Sequence, residues 1–177
     1  MPKRVSLSGE HLPFQSIVDQ QRDVEAALRL YFSSANPAFA ARFQGQTAAE
    51  VEAERDSRIA EAQQLASLSL LSAIEAAFRV DYLNRCYRKR KDTLSRAFRT
   101  LHSVKGARVS LDDEILPLWR AHSVGANPLI SDLVAAFNFR HWLAHGRYWL
   151  PKLGQPYDFF AIETLAATIA SSLPLLD

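Results

Sequence analysis

The chain has 177 residues, 48% hydrophobic and 23% charged, with six glycines and eight prolines; this composition excludes disordered and collagen-like chains and suits one domain spanning 1–177. Its 21 basic and 19 acidic side chains leave a formal charge of +2, so a polyanion would have to be drawn by a local patch, not by the whole molecule. Cys86 is the one cysteine, which excludes an internal disulfide and a multi-cysteine zinc site; with no apolar signal run near the N-terminus, a cytoplasmic protein is expected.

Strict apolar/polar alternation is scarce and apolar residues recur at three and four positions, so the expected fold class is all-α. Residues 1–13 read as a flexible segment ahead of the domain. Gln15 to Phe32 predicts the first helix, with Ile17, Val18, Val24, Leu28 and Tyr31 on its apolar side. Pro37 and Gly45 then break the pattern. Thr47 followed by Glu50 is a capping-box signature, and behind it no proline or glycine occurs until Gly106, long enough for one helix or two. The first half of this stretch is charged and expected to be solvated; the second, rich in Leu and Ala, is expected to enter the core. A break is expected near Lys91 to Thr93, with Asp92 or Thr93 capping a helix through Leu101.

Leu111 to His122 predicts a short helix with Asp112 and Asp113 at its positive end. The next helix runs from about Pro128 to His145 and stops at Gly146, and it reads as packed on nearly every side. A last helix starts near Asp158 and ends before Pro174; Glu163, several hydroxyls and that proline make it a buried helix and not a membrane span.

The stretch NFRHWLAHGR, residues 138 to 147, puts one arginine and two histidines at the end of an apolar helix. At about 100° per residue, Arg140, His141 and His145 fall within roughly 140° of one another, continuing the stripe of Ile130, Leu133, Val134 and Phe137. Three readings arise from the residues. Arg140 pairs with a carboxylate of a neighbouring helix, such as Glu75 or Asp81, and the histidines are structural. The i, i+4 histidines hold a metal ion, against which stand the missing glutamate after His141 and the missing third ligand. Or the trio performs acid–base chemistry on a phosphodiester.

RHWLAHG resembles the signature of the HEPN (higher eukaryotes and prokaryotes nucleotide-binding) superfamily, an arginine and a histidine separated by four to six residues near the end of a late helix. The resemblance implies a bundle of about five to seven helices. It also implies a metal-independent endoribonuclease, without cofactor or metal, acting on RNA as a homodimer in a toxin–antitoxin or antiviral defence setting. Arg140, His145 and His141 would be its catalytic residues, with Glu75, Arg79 and Asp81 in support. Arg147 and Tyr148, just past the motif, would line the cleft, and the basic run around Arg88, Lys89 and Arg90 would hold RNA backbone. An antitoxin or nucleotidyltransferase-type partner is also implied. The tyrosine that such a partner modifies in some members stands two positions after the histidine, where this chain has Arg147. The rival from another class is a noncatalytic HEPN module that binds nucleotide, RNA or protein.

Overall fold

Thr47 Oγ1 accepts the Glu50 amide at 3.2 Å and the Glu50 carboxylate accepts the Thr47 amide at 2.7 Å, so the capping box starts the central helix where the sequence places it. With no breaker inside, that helix runs 40 residues, about 60 Å, as a single element. In this computed structural model, which describes residues 4–176, seven α-helices and no strand are present among the described residues. They are α1 (Phe14–Tyr31), α2 (Phe39–Arg42), α3 (Ala48–Tyr87), α4 (Thr93–Lys105), α5 (Leu116–His122), α6 (Ala126–Ala144) and α7 (Phe159–Ser172). A π-helical turn, Leu111–Ile115, leads into α5.

The two halves of α3 differ as their compositions require. Before Ser67 only Val51 and Ile59 are buried, whereas from Ser67 onward the helix sinks into the bundle. There Leu70, Leu71, Ile74, Phe78 and Tyr82 meet Phe98 of α4, Trp119 of α5, Ile130 and Leu133 of α6 and Ile162 and Ile169 of α7. The exposed front half is steadied by α1, whose Glu25 accepts from Gln63 at 3.2 Å, and by a small cluster of Phe32, Phe43 and Val51. Phe43 follows α2, a four-residue helix inside the segment read from sequence as a break; its aromatic side chains form it by packing, against the local signal of Pro37.

Asp92 caps α4 by accepting the Ser95 amide at 2.9 Å, and Asp158 caps α7 through Ala161 at 2.7 Å. Helix α6 is less enclosed than its composition suggests. Ile130, Leu133, Ala136, Phe137 and Phe139 are buried, but Ser131, Asp132, Asn138 and His141 form a wet strip. No helix of the described residues is long and apolar enough to cross a membrane.

Candidate functional site

Gly146 is the reason the arginine and histidines stand at a helix end. At φ 84° it takes the left-handed position after α6; its amide donates to Leu143 O at 3.4 Å and the Arg147 amide donates to Trp142 O at 3.1 Å. This Schellman closure satisfies the last carbonyls and turns the chain away. His141 and His145, one turn apart, are both exposed, with ring centroids 4.2 Å from each other. Trp149 returns beside them, 5.8 Å from the His141 ring, because the Trp142 indole donates to Trp149 O at 2.8 Å. Tyr148 packs edge-on against Trp149 at 4.7 Å and is 84% exposed.

Arg140 points the other way, toward α3. Its Nη2 lies 2.8 Å from Glu75 Oε2, and its Nε donates to Ser72 Oγ at 3.4 Å. The other oxygen of the same carboxylate accepts from Arg79 Nε at 2.8 Å, and Arg79 Nη1 donates to Val109 O at 3.1 Å. Glu75 therefore bridges two guanidinium groups across α3 and α6. Asp112, at the π-helical turn, joins this cluster electrostatically. Burial and the nearby Asp113 and Glu75 charges push its carboxyl above the ordinary range, while Arg140 and Arg79 pull it back. No hydrogen bond or ring contact joins Arg140 to either imidazole among the described residues.

The remaining candidates fall into three places. Arg147, left-handed at φ 59°, is clamped by Glu61, which accepts from Nη1 at 2.7 Å and Nη2 at 2.8 Å, and it also donates to Gln64. Asp81, six positions past Glu75, lies about 120° away round α3 and is fully buried. It accepts from Arg85 Nε at 2.7 Å and from the Leu176 amide at 2.9 Å, and burial pushes its carboxyl up to about 6 despite the opposing pull of Arg85. Arg88, Lys89 and Arg90 are exposed in the turn between α3 and α4. That turn starts 13 residues beyond Glu75, about 20 Å along the helix axis.

Arg140, Glu75 and Arg79 are thus brought together, His141 and His145 form a separate exposed pair at the end of α6, and Asp81 lies elsewhere. Sequence reading missed Ser72, Glu61, Gln64 and Asp112. Only Glu61 and Gln64 carried any signal, as polar residues on the same face of α3 as Ser72 and Glu75. No three His, Cys, Asp or Glu side chains gather as a ligand set for a metal among the described residues. Compared with protein-family models, curated proteins and solved structures, the chain finds no match in any of the three.

Proposed function

We propose that this protein is a HEPN-like, metal-independent endoribonuclease acting as a homodimer in a toxin–antitoxin or antiviral defence system. The observation that carries the reading is the pair of solvent-exposed imidazoles 4.2 Å apart at the end of α6, with a positioned guanidinium one helix position before them. RNA cleavage by its own 2′-OH needs little else. One imidazole takes the 2′-OH proton as the 2′-oxygen bonds to phosphorus. A protonated imidazole returns a proton to the departing 5′-oxygen as the P–O5′ bond breaks, leaving a 2′,3′-cyclic phosphate and a 5′-hydroxyl. His145 and His141, or the His145 of each protomer, fill the two roles. Arg140 offsets the charge on the phosphorane. Tyr148 offers a face for a base to stack on, and Arg88, Lys89 and Arg90 offer charge for the backbone. An antitoxin would act by covering the imidazoles, since the modifiable position holds the clamped Arg147.

A noncatalytic module that binds RNA or nucleotide is the second reading. It is favoured by the internal engagement of Arg140 with Glu75 and Ser72. A cleavage assay in EDTA separates the two. The nuclease cuts RNA and not the matching DNA, and His145→Ala lowers the rate by about 10²–10⁴-fold. Binding that persists with no cutting by either protein overturns the enzyme.

A further inference from the structure

The turn after α3 holds more positive charge than the fold uses. From Arg85 to Lys105 the chain carries eight Lys and Arg side chains and one acid, Asp92. Internal duties account for some of them: Arg85 is buried on Asp81 and Asp92, Lys105 pairs with Glu114, and Arg99 donates to the carbonyl of Arg90. Asp92 itself is shared by Arg85, by Arg90, whose Nε lies 3.8 Å from Oδ2, and by the cap of α4. Lys89 and Lys91 are exposed and pair with no acid among the described residues.

Two structural facts single this surface out. The N-terminal arm folds back onto it: the Val5 amide donates to the Tyr87 hydroxyl at 2.9 Å, and the Arg4 guanidinium lies 4.6 Å over the Tyr87 ring. A cation from the opposite end of the chain is thereby added. Second, Lys89 occupies the position just past the helix end, where glycine is usual, at φ 50° and with its amide on Cys86 O at 3.4 Å. Among the described residues only Lys89 and Arg147 are non-glycine residues in the left-handed region. The Arg147 conformation is held by Glu61, whereas the Lys89 ammonium is held by no acid. A lysine kept at a strained position, with its charge in solvent, points to a use outside the chain.

We infer that the α3–α4 turn, together with Arg4, is a docking surface for the sugar–phosphate backbone of the RNA whose scissile bond lies at the histidine pair. The identity of the polyanion rests on the ribonuclease reading; the surface does not. The histidines sit between the α3 levels of Gln64 and Ser72, which places the turn on the order of 30 Å away along the axis. At about 3.4 Å per phosphate of a stacked strand, that is roughly nine nucleotides. The substrate class is therefore an extended RNA, and a dinucleotide bypasses the surface.

The test uses the full chain. In a His145→Ala background, binding of an unstructured RNA long enough to span both sites is measured against salt, with and without Lys89→Gly, Arg90→Ala and Lys91→Ala together. Losing three cations flattens the log–log salt dependence by about 2 and weakens low-salt binding roughly tenfold or more. Arg4→Ala flattens it by about 0.7. With His145 intact, the unaltered protein cuts the long RNA at a lower KM than a dinucleotide, and the triple variant loses that advantage. An unchanged salt slope overturns the surface, as does RNA binding that survives while binding to phosphatidylserine vesicles is lost. If neither substrate is cut, the ribonuclease reading falls, and the salt slope still decides the docking surface.

Discussion

Replacing Glu75 by glutamine tests whether Arg140 is held for a purpose. The amide keeps the shape and one acceptor but removes the charge that binds Arg140 Nη2 and Arg79 Nε. The side chains are 20% exposed for Glu75, 34% for Arg140 and 41% for Arg79, so solvent screens both pairs. The tertiary pair to Arg140 is worth about 1 kcal/mol and the i, i+4 pair to Arg79 about 0.5 kcal/mol. Their loss lowers the melting temperature by roughly 3–6 °C in a protein of this size. Glu75 touches no reacting atom in the proposed reaction; it is a positioning residue, and its effect on cleavage should pass through Arg140. Urea unfolding and cleavage rates measured for Glu75→Gln, Arg140→Lys and the double variant form the cycle that decides. If Glu75 positions Arg140, the double variant is slowed little more than Arg140→Lys alone, with a coupling of about 0.5–1 kcal/mol. Effects that add within about 0.3 kcal/mol refute the reasoning.

Lys89→Gly alone relieves a left-handed lysine, a conformation that costs about 1–2 kcal/mol, against the greater entropy of an unfolded glycine, about 0.5–1 kcal/mol. The net gain of about 0.5–1 kcal/mol should raise the melting temperature by about 1–4 °C while RNA binding weakens, and a fall in melting temperature contradicts the backbone argument. For Asp81, whose folded carboxyl is pushed up to about 6 from an ordinary value near 3.8, the folded state holds the proton more tightly than the unfolded one. That contribution is present below about pH 4 and lost as the pH rises through about 6, the opposite of Glu25 and Glu61, whose arginine partners hold their carboxyls low. Unfolding midpoints should decline between about pH 4 and 6, and Asp81→Asn should remove the decline; an unchanged profile in that variant would assign the slope to other groups.

Caps and breakers were legible because they act within a few residues. The Thr47–Glu50 box, the Asp92 and Asp158 caps and the stop at Gly146 all lie where local chemistry requires. The unity of α3 is not legible in the sequence, since absence of a breaker does not say whether tertiary contacts hold 40 residues straight. Pairing of Arg140 with a carboxylate is one of three readings the residues allow, and the sequence alone does not choose between Glu75 and Asp81. Which of the two faces α6 depends on the rotation of α3, and only the packing of α3 against α6 sets that. Nearness to the motif suggests Arg147 as a cleft residue. The Schellman closure instead turns it back onto α3, where Glu61 and Gln64 wait across 86 and 83 positions of sequence.

The charges along α3 separate two explanations of the basic turn. Acidic residues crowd the start of the helix, from Glu50 to Asp56, and basic ones its end, which is the arrangement a helix dipole favours. That preference fades within the last turn, so it accounts for Arg85 and Arg88 and for no cation beyond them. Lys89, Arg90 and Lys91 lie outside the helix, where the dipole offers little; Asp92 eases Arg90 at 3.8 Å, but repulsion works against Lys89 and Lys91, and the backbone at Lys89 is strained. Two unfavourable terms, repulsion and strain, therefore act at this turn, and in the proposed docking the opposite charge of an RNA strand held about 30 Å away at the imidazoles offsets the first without a second partner.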